Sequence, residues 1–507
     1  MKIMTEFLVK YRAPLLLALI YVLAVAIYWH GAGPGDAEQY YRTALAWAND
    51  GPQLGKDHWG LRQLFVLPMA AAFTLLGQNE FAATVPNILY GAALIALTWY
   101  FGRRFMGESA AFALTVFVAL SAFFVARPIE VDVYGPEIVF SALSCWLFVG
   151  SQLERHWRPW LAAAGIAAGL AFTIREQAAA VGIGFGFLIL SSRRQIIERG
   201  AILAAGFLSV IAAEMAAYWI ASGDPLYRYL TDLNHTKVSS GKAATVEQIG
   251  LWGIFIRAFK DFLTFPNSVP FAAIAAAGAF YFRRDISKWP HALKRTLVVF
   301  AVSGAVTAAI SSYAFNLSMP RYYPLLTYFV FILLGVIGAE IYSRFGRLAG
   351  WAFALLVIAG NIAAADFSRY NEYAEARLLA NLAMQSDETI YTDGATALRA
   401  RYEMIFLGAD KNAVSSKIVS VPQPEEGVLY YRTWENRAKN TSGCILLVER
   451  PRAPNWTHWL LRVTGFSSIV GGDIKRVTEP PVPVELIRIG SDESGPGCRN
   501  RSDPKSN

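Results

Sequence analysis

Runs of about 20 mostly apolar residues recur along this chain, and a run of that length is what a helix needs to cross a bilayer. They begin near Pro14, Val85, Ala110, Pro136, Trp160, Ala178, Ala201, Val269, Thr296, Tyr322 and Leu348. About eleven spanning helices are therefore expected. Composition agrees, with 55% of the 507 residues hydrophobic and a mean hydropathy of +0.35. Only 17% are charged, against roughly 25% in an ordinary soluble domain. A net charge of +8 would suggest nucleic acid in a soluble protein. Here Lys and Arg cluster between the apolar runs, so membrane topology accounts for them and no nucleic-acid partner is expected. The first run has no small-residue cleavage site behind it, and is expected to remain as an anchor.

One shorter apolar stretch, Leu61–Gly77, decides the orientation. If it spanned, Arg103-Arg104, Arg193-Arg194 and Arg283-Arg284 would lie opposite the basic N-terminus with its Lys2, Lys10 and Arg12. If it lies along the interface, all of these face the cytoplasm, as do Arg155, Arg158, Arg199, Lys294, Arg295, Arg344 and Arg347. The interfacial reading satisfies the positive-inside rule throughout. It places the N-terminus in the cytoplasm and the C-terminus outside, and it leaves a first outer loop over residues 31–84.

The apolar runs stop near Asp366. The stretches ETIYTDG, GVLYYRTW, CILLVERP and VELIRIG then read as short strands, and ATALRARYEMIFLG as a helix. The expected architecture is thus an all-α polytopic membrane domain over 1–366, followed by a small extracytoplasmic α/β domain over 367–490. Residues 491–507 are polar and expected to be disordered. An oxidising outer compartment would allow Cys444 and Cys498 to pair, while Cys145 falls in a span.

Chemistry-bearing residues gather in the outer loops. Asp36 opens an amphipathic stretch just after the first run, where it fits an N-cap, with Gln39 completing a capping-box pattern. Glu38 can pair with Arg42 one turn on. Arg127, Glu130 and Asp132 fall within six residues between two spans, where charges are expensive unless paired or hydrated. Arg175 and Arg321 each end a long apolar run, where a guanidinium can snorkel to headgroups or bind a phosphate through its planar fork. Glu214 lies inside a span, where it either lines a cavity or pairs with a neighbouring helix. The metal-ligating residue types are too scattered to define a site, so no cofactor is assigned and a divalent metal is left open.

At these residues the chain resembles the GT-C class of membrane glycosyltransferases, in the branch of protein O-mannosyltransferases and aminoarabinose transferases. The likeness rests on an acidic residue early in the first outer loop (GDAEQYY) and on the following stretch LLGQNEFAATVPN, with Thr84 where the family commonly has a basic residue. It rests also on Arg127 with Asp132 five residues later, and on RYYPLL from Arg321 to Leu326. The chain departs from the family at His58, followed by Trp59 and Gly60 rather than by two prolines, and at Ile174-Arg175-Glu176 in place of Thr-Lys-Gly.

The resemblance implies an inverting glycosyltransferase with a polyprenyl-phosphate sugar donor and a lipid, glycan or protein acceptor, working on the periplasmic face of the inner membrane. It implies Asp36 as catalytic base, with Glu38 and Asp132 as further candidates. Arg175, Arg321, Tyr322 and His58 would contact the donor phosphate, and Arg127 and Glu130 would stand nearby. A polyprenyl-linked glycan polymerase or ligase and a lipid-sugar transporter are the alternatives. A transporter would call for inverted repeats or broken helices at the midplane, and the sequence shows neither.

Overall fold

The computed structural model describes residues 2–29, 36–126, 131–193, 195–238, 269–314, 322–368, 373–421, 424–433, 443–449, 463 and 484–490. They fall into two compact units. The first comprises Met1–Trp29, Asp50–Met69 and Val85–Ala365, and the second His30–Asn49, Ala70–Thr84 and Asp366–Asn507.

The first unit is helical. Its described helices are α1 (Lys2–Tyr28), α4 (Glu80–Met106), α5 (Glu108–Ala119), α6 (Tyr134–Leu153), α7 (Trp157–Ile174) and α8 (Ala180–Ser192). Then follow α9 (Ile196–Ser222), α10 (Tyr227–Val238), α11 (Val269–Tyr281), α12 (His291–Ala314) and α13 (Pro324–Ser368). The intervening α2 (Ala37–Asp50) belongs to the second unit, α3 (Gln63–Leu76) runs from the first into the second, and the first residues of α4, up to Thr84, also belong to the second.

Large apolar side chains point outward along these helices, among them Ile197 and Ile220 at 87% exposure, which marks a surface covered by lipid rather than water. The protein is a multi-pass membrane protein. The expected count of about eleven spans is not confirmed: five of the described helices are long and apolar enough to cross a membrane. Among the described residues, some apolar helices are shorter than the about 20 residues a span takes, Glu108–Ala119 among them. The runs near Tyr322 and Leu348 share α13, which is broken at Gly346 (φ +83°).

Small residues and satisfied hydroxyls hold the bundle, as expected where lipid supplies no hydrophobic drive between helices. Gly165 and Gly169 of α7 face α9 so closely that a Cβ at Gly165 would collide with the Leu203 carbonyl, and Gly206 meets the Ala162 carbonyl in the same way. Tyr328 shares a hydrogen bond with Thr98 (2.6 Å) and accepts one from the Trp146 indole (3.3 Å).

The second unit contains a five-stranded sheet of β1 (Ile390–Thr392), β2 (Ile418–Ser420), β3 (Leu429–Arg432), β4 (Gly443–Glu449) and β5 (Val484–Ile489). The order is β2-β1-β3-β5-β4, parallel across β2, β1 and β3 and antiparallel for the rest. Helices α14 (Tyr373–Gln385), α15 (Gly394–Phe406) and the short α16 (Lys411–Lys417) accompany it. Leu379, Ala380, Ala400 and Met404 from the helices bury one sheet face with Leu429 and Tyr431, while Tyr430 and Ile487 line the other. Period-2 alternation along β3 produces this split. Cys444 is disulfide-bonded and Cys145 is free and buried. Cys498 and the tail over 491–507 lie outside the described residues.

Candidate functional site

Within the membrane unit, the break after α7 places Arg175 among aromatic and acidic side chains. Its guanidinium donates to Glu137 (2.9 Å) and to the Tyr134 hydroxyl (3.1 Å). It also lies over the rings of Tyr134 and Tyr322, 4.4 and 4.8 Å from their centroids. Gln177 donates to the other Glu137 oxygen (3.2 Å). Asp132 lies within electrostatic range of the same guanidinium. Arg175 keeps 11% of its side chain exposed while Glu137 keeps 1%. A planar cation held in this way is oriented before any anion reaches it.

The chain just before α6 is strained. Val131 has φ +65°, a conformation that β-branched residues rarely adopt and that costs on the order of 1–3 kcal/mol. The Asn87 amide holds the turn by donating to the Asp132 carbonyl (3.0 Å). Strain of this kind gathers at functional sites, and Val131 directly precedes Asp132.

A second polar cluster in the same unit centres on Arg228, whose side chain is 1% exposed. It bonds Glu176 (2.6 Å) and Glu214, and its Nε lies 3.6 Å from Asp232. Tyr229 donates to Glu214 (3.0 Å). Burial, and after it the Glu176 carboxylate, push Asp232 up to about 8. Glu176 and Glu214 stand opposite Arg228, with Arg62 within electrostatic range of Glu176. Glu214 is thus paired. Its partner comes from α10, a polar helix with no local signal pointing to it.

In the second unit, Asp36 occupies the N-cap position of α2, its carbonyl accepting from the amides of Gln39 (3.0 Å) and Tyr40 (3.4 Å). Its side chain is exposed, and among the described residues its carboxylate makes no hydrogen bond or ion pair. Glu38 is buried instead, 4.0 Å from Arg399 of α15. Glu80 pairs with Arg377, which also lies 3.7 Å from Glu403. Burial, then the Glu80 carboxylate, push Glu403 up to about 8.

The structure brings Arg175, Tyr322 and Asp132 together. The ring of His58 packs on that of Trp59, with centroids 3.7 Å apart and planes tilted by 38°. Arg127, Glu130 and Arg321 lie outside the described residues. Sequence reasoning missed Glu137, Arg228 and Arg399. The one available signal for Glu137 was a carboxylate in the first turn of an apolar helix. Among the described residues, no group of three or more His, Cys, Asp and Glu could hold a metal. Thr84 is buried, with its hydroxyl on the Phe81 carbonyl (2.8 Å).

A family model described as dolichyl-phosphate-mannose-protein mannosyltransferase matches residues 64–219. No curated protein matches the chain. Among solved structures, the oligosaccharyltransferase AglB from Archaeoglobus fulgidus, in complex with an inhibitory peptide and a dolichol-phosphate, is 13% identical with a TM-score of 0.51, over 83% of this chain and 62% of that one. The apo form of the Archaeoglobus fulgidus oligosaccharyltransferase is 11% identical with a TM-score of 0.52, over 82% and 65%. ArnT from Cupriavidus metallidurans bound to undecaprenyl phosphate is 12% identical with a TM-score of 0.43, over 96% and 99%. The chain thus spans less than two thirds of the two oligosaccharyltransferase chains, and at these identities the likeness to them is one of fold. The family match covers residues 64–219, and the fold is shared with the two oligosaccharyltransferase structures.

Proposed function

We propose that this protein is an inverting glycosyltransferase that moves a sugar from a polyprenyl-phosphate carrier to a hydroxyl of a lipid, glycan or protein on the periplasmic face of the membrane. One observation carries the reading: the segment matching the mannosyltransferase family contains Arg175, held between two tyrosine rings beside a carboxylate. The oligosaccharyltransferase that shares the fold is described in complex with a dolichol-phosphate, a lipid phosphate of the class such a guanidinium suits.

In this reading the acceptor hydroxyl attacks the anomeric carbon as Asp36 takes its proton. The bond from that carbon to the phosphate oxygen breaks, and the polyprenyl phosphate leaves with the electron pair. The leaving group is already an anion, so it needs charge stabilisation more than a proton, and Arg175 with Arg321 supplies it. Tyr322, next to Arg321 in sequence, lies against Arg175, which supports a shared role for the two arginines. Protein in lipid vesicles, given labelled polyprenyl-phosphate sugar and an envelope extract, should release free lipid phosphate and fix the label to acceptor. Intact donor crossing the bilayer with no bond transfer would instead make it a transporter.

The orientation belongs to the same reading: N-terminus cytoplasmic, α3 along the outer face and the C-terminal domain outside, where the disulfide at Cys444 is chemically at home. Single cysteines replacing Arg104 and Arg284 should react with an impermeant maleimide only from the cytoplasmic side. Labelling from the outer side would overturn this topology.

A further inference from the structure

We propose that the C-terminal domain fixes the position of the catalytic base, with Phe406 and Arg399 acting as positioning residues through α2. This rests on the reading of Asp36 as the base.

The argument starts from the pattern of α2. Ala37, Tyr40, Tyr41, Ala44 and Leu45 are buried at the spacing of one helical stripe. A helix of 14 residues is marginal in water by itself, so it depends on whatever covers that stripe. The cover is α15. The ring of Tyr41 meets the edges of Tyr402 (5.7 Å) and Phe406 (5.2 Å), with interplanar angles of 66° and 79°. Phe73 of the same unit reaches Phe406 from another side at 6.1 Å. Arg399, one turn before Tyr402 on α15, stands 4.0 Å from the buried Glu38.

Glu38 therefore serves to register α2 on α15, two residues from the carboxylate that does the chemistry. Asp36 cannot move independently of the helix, because its carbonyl accepts the first two amide bonds of α2. The Glu80–Arg377–Glu403 group ties residues 70–84 to α14 and α15 in the same way. Both segments of the first outer loop that belong to this unit are thus anchored to helices of the C-terminal domain. The placement of a catalytic group is worth much: a shift of about 1 Å can cost about 10²-fold in rate.

The test uses the full chain in lipid with labelled polyprenyl-phosphate sugar. Phe406→Ala and Arg399→Ala should each cut kcat by about 10²-fold while the donor KM stays within about twofold. Phe406→Leu and Arg399→Lys, which keep bulk or charge, should recover much of the loss. In an Asp36→Asn background neither alanine change should reduce the rate further, because the group they position is gone. Hydrogen exchange over residues 37–50 should rise in the alanine variants while the membrane helices keep their protection. Normal kcat, a rise in KM alone, or a full further loss on top of Asp36→Asn would overturn the proposal. If Asp36→Asn abolishes transfer and the alanine variants do not, the positioning role alone fails. If Asp36→Asn keeps its rate, the base assignment fails and this inference with it.

Discussion

Asp36→Asn is expected to reduce transfer by about 10²–10⁴-fold, the range a positioned general base contributes, while folding and donor binding stay nearly unchanged. The substitution removes only the capacity to take a proton. Asn keeps the size of Asp and is an N-cap of similar quality, and α2 retains the buried stripe that seats it. A structural role for the carboxylate is not supported by its surroundings, since it is exposed and makes no side-chain bond to another described residue. Steady-state transfer with labelled donor, alongside donor binding measured separately, checks the point. A loss of less than about tenfold would leave too little for a base, and attention would turn to Glu38, Glu130 and Asp132.

Arg228→Ala should cause the largest loss of stability of any single change in the membrane unit. The side chain is 1% exposed and faces Glu176, Glu214 and Asp232. Removing it leaves buried carboxylates without their cation, a situation that typically costs about 3–5 kcal/mol. Arg228→Met should be no better, because it restores volume without charge. Thermal unfolding of the purified protein in detergent is the measurement, and an unchanged midpoint would show that water already hydrates the cluster. Changing Arg228 together with Glu214→Gln should cost less than Arg228→Ala alone, since the double change also removes one stranded charge.

Much of the architecture was legible from local pattern. ETIYTDG, GVLYYRTW, CILLVERP and VELIRIG each overlap an observed strand, and ATALRARYEMIFLG overlaps α15. The strand β2 at Ile418–Ser420 was not read from the sequence. The number of spans was less legible, since an apolar run fixes that a helix forms but not how long it stays straight. The break in α13 at Gly346 falls between the runs that begin near Tyr322 and Leu348.

The site shows the same division. Arg175 stood out as a lone cation at the end of an apolar run, but its bond to Glu137 joins positions 38 apart in sequence. Arg228 lies on a polar helix where an arginine is unremarkable, and only the fold brings three carboxylates from α10, α9 and the turn after α7 around it. Helical spacing likewise gave the buried stripe of α2 without naming the helix that covers it. Periodicity says which face is hidden; the identity of its partner is a long-range fact.

That long-range pairing has a consequence for how the protein is made. Tyr41 and Tyr402 lie about 360 residues apart along the chain, and at roughly 5–20 residues per second a ribosome needs on the order of 20–70 s to cover that distance. Throughout that interval the segment beginning at Asp36 has emerged without the helix that seats it. Membrane helices between the two can insert meanwhile, since their hydrogen bonds are local. The arrangement proposed for the first loop therefore cannot form until α15 has been synthesised.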